Sequence, residues 1–211
     1  MPAQPFVRRQ LWPMAAGAAA MATTGPAPST TWAQATHAVR YRATIDSADP
    51  GSISLITRSG QALTMAVAYD TVILAVVPMQ LENIRSGAFI GAAAMPQPDG
   101  TQRALVVRVF PENMRGTGEG HRPFDLKPQS TMTNATVGAV TDNSGRSLTV
   151  TYQGEKIIVV PRDIPVVTFE PGSPALLVPG AHVIVMGTEA SDGSLSASRI
   201  LVGKNGLVPP M

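Results

Sequence analysis

Thr44-Ile-Asp-Ser-Ala-Asp-Pro-Gly-Ser-Ile-Ser-Leu55 can be laid over Ala139-Val-Thr-Asp-Asn-Ser-Gly-Arg-Ser-Leu-Thr-Val150, which puts Ile45 on Val140 and Ile53 on Leu148. Both pairs are 95 residues apart. Further along, Gly60 matches Gly154 at a spacing of 94. Asp70, Gly87 and Asp99-Gly100 match Asp163, Gly180 and Asp192-Gly193 at 93. A spacing held so nearly constant implies two tandem copies. Within the second copy, Leu148, Val150 and Tyr152 alternate with Ser147, Thr149 and Thr151, which is the period of a half-buried strand.

Outward from that strand, apolar runs and Gly or Asp-Gly turns mark further short strands. In the first copy they are expected at about 39–47, 52–58, 62–68, 71–76, 88–95 and 103–110. In the second they fall at 136–141, 147–152, 156–160, 165–169, 182–187 and 195–202, with turns at Asn143-Ser-Gly145 and Gln153-Gly154. No window carries the 3.6-residue period of a helix, and Leu81–Ser86 supports one turn at most. Short antiparallel strands with turns every eight to twelve residues predict small closed barrels. Ile84-Arg-Ser-Gly-Ala-Phe-Ile-Gly91, echoed by Leu177-Val-Pro-Gly-Ala-His-Val-Ile184, is similar to the turn before the fourth strand of OB-like barrels. The expected fold is all-β: two tandem small OB-like antiparallel β-barrels joined by an ordered Gly-rich connector. The expected boundaries are a signal peptide at 1–35, a first barrel at 36–110, the connector at 111–133 and a second barrel at 134–211.

The N-terminus sets the compartment. Arg8 and Arg9 precede a short apolar run, Met14–Ala22, and a small-residue exit at Ala33-Gln-Ala35, the form of a secretory signal peptide of the Sec or twin-arginine type. A periplasmic or secreted protein is expected. Cleavage removes two of the 16 basic residues and leaves 14 against 14 acidic ones. Counted by segment, neither copy is loaded with one sign, so a nucleic-acid partner is not expected. There is no cysteine, which excludes thiol chemistry and thiolate metal sites. Ala62–Pro78 is apolar enough to resemble a membrane span, but Asp70 interrupts it and Pro78 ends it. Two buried strands are expected there, and no transmembrane segment in the mature chain.

The connector, Phe110–Ser130, has alternate glycines at 116, 118 and 120, a histidine and several charges, a mixture that a passive linker has no need of. Arg115, Glu119, His121, Arg122 and Asp125 are its candidate ligand- or partner-binding residues. Glu119, His121 and Asp125 also place three metal-ligand types within seven residues. That gives the alternative of a divalent transition metal held chiefly by His121. The plainer reading is a glycine-permitted turn whose charges pair with one another and whose Phe124 and Leu126 pin it to a barrel. His182 is read as a packed or rim residue, and His37 as part of a mobile terminus. The methionines of the mature chain are scattered singly and read as core filling. Asp99 and Asp192 read as turn caps, and no catalytic dyad or nucleophile motif is present, so no enzyme is expected.

Met114-Arg-Gly-Thr-Gly-Glu-Gly-His-Arg-Pro-Phe-Asp125, with Ser130-Thr-Met-Thr-Asn-Ala-Thr136, resembles a proteobacterial exported family of unknown function built of tandem OB-like domains. Its members are often called metal ABC transporter permeases, a name that no bundle of apolar helices in this sequence supports. The resemblance implies the fold and the compartment. The functional expectation is a non-enzymatic envelope binding or scaffold protein acting on an envelope protein or other periplasmic ligand, with no cofactor. The alternative is a periplasmic metal-handling accessory.

Overall fold

Ile53 and Leu55 are buried while Ser52 and Ser54 between them are half-buried, so the two-residue period works as the sequence indicates. The computed structural model of the protein describes residues 36–141, 147–151 and 154–210. The expected signal peptide and the Asn143-Ser-Gly145 turn lie outside the described residues. The regular structure of these residues is nearly all strand: β1 (His37–Asp49), β2 (Ser52–Thr57), β3 (Ala62–Pro78), β4 (Phe89–Pro96), β5 (Gln102–Val109), β6 (Gly120–Pro123), β7 (Thr131–Thr141), β8 (Ser147–Thr151), β9 (Glu155–Val159), β10 (Val166–Pro171), β11 (His182–Glu189) and β12 (Leu195–Gly203). Helical structure among the described residues is confined to single 3-10 turns, one of them at Leu81–Asn83. No helix among these residues is long and apolar enough to cross a membrane. The all-β expectation holds.

The pairing of the strands departs from one barrel per copy. β12, β11, β1, β2 and β3 are successive neighbours, and a parallel β12–β3 pairing closes them into a five-stranded barrel. A second set, β5, β4, β7, β8 and β9, closes through a short parallel pairing of Gln102 with Ile158 and Arg103 with Val159. The first ring therefore takes three strands from before the connector and two from after it. The second ring reverses those shares. A boundary at residue 110 thus cuts across both rings. The cause lies in the chain's path, because Met79–Ala88 carries it out of the first ring and β4 then pairs with β7. Two strands expected at 62–68 and 71–76 are one continuous strand, β3. Its middle is exposed rather than buried, with Tyr69 wholly in solvent.

Each ring has its own apolar interior. Ile45, Ile53, Leu55, Met65, Val185 and Ile200 fill the first, and Ile90, Ala92, Val107, Ala135, Leu148 and Ile158 the second. A third core lies between the outer faces of the rings, where Val76, Phe89, Val106, Phe110, Met132, Phe169, Ile184 and Leu201 meet. Phe110 is its hinge, with ring centroids 5.3 Å from Phe89 and 5.7 Å from Phe169. These tilted spacings lie in the favourable range for aromatic pairs. β10 completes the join, pairing antiparallel with β3 and parallel with β5.

Because neither ring closes without strands from the other side of the connector, fragments 36–110 and 111–211 are each expected to lack a cooperative unfolding transition. An equimolar mixture should regain one. Urea unfolding followed by circular dichroism checks this, and a cooperative, monomeric 36–110 fragment would contradict it.

Candidate functional site

The connector forms a strap across both rings. Gly116, Gly118 and Gly120 all have positive φ, which winds the chain through a tight loop. The loop delivers β6 to the edge of β7, where Gly120 faces Asn134 and His121 faces Thr133. Beyond β6, Phe124 and Leu126 pack on the third core together with Met114. Asp125 reaches the first ring, where Arg42 holds it through two hydrogen bonds of 2.9 Å and Arg40 through a third. The Arg40 guanidinium also lies over the Phe124 ring, 4.9 Å from its centroid. One end of the strap is therefore tied by backbone pairing and the other by a charged clamp.

The five expected site residues are divided by this geometry. Arg122 and Asp125 line a cleft of about 700 Å³ beneath the strap, and Arg115, Glu119 and His121 do not. Arg115 makes a bidentate ion pair with Glu112 at 2.5 and 2.7 Å and donates to the Gly87 carbonyl at 2.8 Å. Glu119 is exposed and forms no ion pair among the described residues. His121 Nδ1 lies 2.8 Å from Thr133 Oγ1. Burial, and then the nearby Lys156 charge, hold this imidazole's pKa below its usual value, which favours the neutral ring. Glu119, His121 and Asp125 do not converge. Among the described residues no three His, Asp or Glu side chains are grouped to hold a metal. Asp125 is committed to its two arginines.

The other candidates also resolve. Asp99 and Asp192 cap their turns, accepting from the backbone N–H of Thr101 and Ser194 at 2.9 Å each. His182 is half-buried with Nδ1 3.1 Å from Thr44 Oγ1. His37, expected in a mobile terminus, opens β1 opposite Glu189, because β11 extends far enough to pair with it.

The cleft contains what segment charge counts missed. Arg40, Arg108, Arg122 and Arg199 line it against a single carboxylate, Asp125. Two cross-strand rows put them there. Arg199, Met186 and Arg40 are neighbours across β12, β11 and β1 on the outer face of the first ring. Arg108, Gly91 and Asn134 are neighbours across β5, β4 and β7 on the second. Gly91 matters for its missing side chain, since a Cβ there would sit 2.6 Å from both Arg108 Nε and Asn134 Oδ1. Gly118 does the same from the strap, where a Cβ would meet Arg122 Nη2 at 3.3 Å and Asn134 Nδ2 at 3.4 Å. That amide nitrogen donates to the Thr117 carbonyl at 2.9 Å, and Arg122 Nη1 donates to the Gly118 carbonyl at 2.8 Å. Arg108 lies over the Phe110 ring at 5.1 Å. Burial, then the charges of Arg122 and Arg40, lower its pKa to about 10, so it stays cationic at neutral pH. Arg199 Nε and Asn134 Oδ1 are buried with no hydrogen-bond partner among the described residues. An unmet buried polar atom costs about 1–3 kcal/mol. The arrangement can accept an anion.

No protein-family model, curated protein or solved structure matches the chain.

The Asp125 clamp gives a signed pH dependence. Hydrogen bonds from Arg42, then from Arg40, hold the carboxyl well below the usual carboxylate range. A folded-state pKa below the unfolded one contributes stability that is fully present above about pH 4 and is lost as pH falls further. The carboxylate is 53% exposed, so solvent screens the pair. Asp125→Asn is expected to cost about 1 kcal/mol at pH 7. The difference from the parent chain should shrink steadily from pH 4 downwards, as urea midpoints across that range will show.

Proposed function

We propose that this is an exported, non-enzymatic binding protein of the bacterial envelope, and that its binding element is the cleft under the strap. The observation that carries this reading is the collection of four guanidiniums around one cavity in a chain whose mature charge is balanced. A cavity near 700 Å³ is of the size that takes small ligands. Its place between two rigid barrels suits a site that holds a ligand without reacting with it. Arg122 and Asp125 are the connector residues that serve it. Arg115 and His121 act by fixing the strap, and Glu119 stays on its outer surface. Export rests on the N-terminal signal, so the ligand is one present in the periplasm or at a membrane surface.

We read the barrels as OB-like and the chain as a duplication. Val76 of β3 stands opposite Phe169 of β10, 93 residues later. Val107 with Val166 and Ile200 with Ile73 are parallel pairs related by the same spacing. These pairings support a local two-fold between copies that exchanged their last two strands. The cleft is not repeated by that two-fold, since Arg108 and Arg199 correspond to Leu201 and Val106 at that spacing.

Native mass spectrometry of the chain purified from its own periplasm tests the reading. A small-molecule adduct is expected on the parent protein. It should be lost from Met186→Trp, which fills the cleft from the middle of the β12–β11–β1 row. Identical adducts, or none, on both folded proteins after exposure to envelope extract would overturn it.

A further inference from the structure

The cleft has two chemically different parts, and together they specify a class of ligand. On its polar side stand Arg108, Arg199 and Arg122, carried by β5, β12 and the strap. These come from separate elements, yet all three guanidiniums border one space. Planar guanidinium forks match the oxygens of carboxylate and phosphate better than any other common side chain does. Arg199 Nε is a buried donor with no acceptor, and Asn134 Oδ1 a buried acceptor with no donor, among the described residues. Asn134 is 1% exposed, and its amide is oriented by the bond from Nδ2 to the Thr117 carbonyl. Its carbonyl oxygen is therefore held in a fixed position, at a place kept open by Gly91. The protein's own carboxylate, Asp125, is engaged by Arg40 and Arg42 and makes no hydrogen bond with Arg199 Nε.

On the other side the lining is Phe110, Phe169 and Leu201, the margin of the third core. A simple inorganic anion would leave this apolar wall uncovered. A neutral apolar molecule would leave Arg199 Nε and Asn134 Oδ1 unmet. A head and a body are both needed.

Resting on the binding reading above, we propose that the cleft binds an amphiphilic oxyanion, a phosphate or carboxylate head joined to an apolar body. The head lies among Arg108, Arg199 and Arg122. A hydroxyl of the head, or a water beside a head that has none, donates to Asn134 Oδ1, and the body lies on Phe110, Phe169 and Leu201. Such a ligand is either a soluble amphiphile or the anionic headgroup region of a lipid, and the two sources share this chemistry.

Calorimetric titration of the mature chain with octyl phosphate, octanoate, octanol and inorganic phosphate tests the proposal. One octyl phosphate or octanoate per chain is expected, bound at least about tenfold more tightly than octanol or inorganic phosphate. Arg199→Gln, which removes the unmet donor, should weaken octyl phosphate about tenfold or more and leave octanol unchanged. Asn134→Asp brings a second carboxylate to the head position and should do the same. If that buried change prevents folding, Arg199→Gln and the loss of parent affinity at high salt still decide the matter. Co-sedimentation with phosphatidylglycerol vesicles, competed by octyl phosphate, would assign a lipid source. Octyl phosphate binding without co-sedimentation would assign a soluble one. Octanol binding as tightly as octyl phosphate, or folded variants that titrate like the parent, would overturn the oxyanion site. The adduct and its loss from Met186→Trp would survive that result, so failure here is separable from failure of the binding reading.

Discussion

The third core is the constraint on which the rest of the molecule depends. A barrel strand ordinarily buries one face and wets the other, but β4 buries Phe89 through Ala94 without a break. Ile90 and Ala92 fill the second ring, and Phe89 and Ala93 join the core between the rings. Ile184 on β11 and Leu201 on β12 do the same from the first ring. Apolar outer faces of this extent cannot be left in water, since each large side chain is worth about 1.5–3 kcal/mol on burial. The rings are therefore obliged to meet. Because each ring uses strands from both sides of the connector, the meeting is covalent as well as apolar: the chain must pass between the rings to complete either one.

The strap and the cleft both follow from where that interface ends. Two cylindrical surfaces in contact diverge at the margins of their contact, and a wedge of space opens there. Met114, Phe124 and Leu126 cover part of the wedge from the connector. The remainder is lined by the residues that flank the apolar rows: Arg199 and Arg40 on one ring, Arg108 and Asn134 on the other. The glycine-rich loop suits this place because bulk is not tolerated there. Gly118 and Gly91 each leave the room in which an arginine and Asn134 lie. The clamp on Asp125 then fixes the roof to the first ring, while β6 fixes it to the second.

The strands were legible because their cue is local. Alternation at Ile53 and Leu55, and Asp-Gly turns at 99 and 192, need no knowledge of partners. Which strands pair was not legible. The pattern that closes β3 on β5 within one copy also closes β3 on β12, and the choice rests on the path of Met79–Ala88 through space. The connector was legible from its composition as more than a passive linker, and two of its residues, Arg122 and Asp125, line the cleft. Arg108 and Arg199 were not found, because charge counted by segment averages over faces that only folding brings together. A usable signal did exist. Arg108 sits in Leu105-Val-Val-Arg-Val-Phe110 and Arg199 in Ser198-Arg-Ile-Leu-Val202, strands apolar on both parities near the charge. A cation in a strand buried on both faces has no ready exit to water, so it marks a site or a partner.

Holding those cations together opposes folding. Arg108 sits in a part-buried position with Arg122 and Arg40 as its electrostatic neighbours, and its lowered pKa records that burial and both of these charges disfavour its own charge. The carboxylate present relieves Arg40 and Arg42, at the rim. A sequence under selection for stability alone would replace a half-buried arginine beside Phe110 by an apolar residue, as Val106 and Phe110 on the same side of the strand already are. Local conflict of this kind, maintained inside an otherwise consistent all-β architecture, sets the cleft apart from the rest of the chain. The same cations that oppose folding are the groups whose charge an anion would offset.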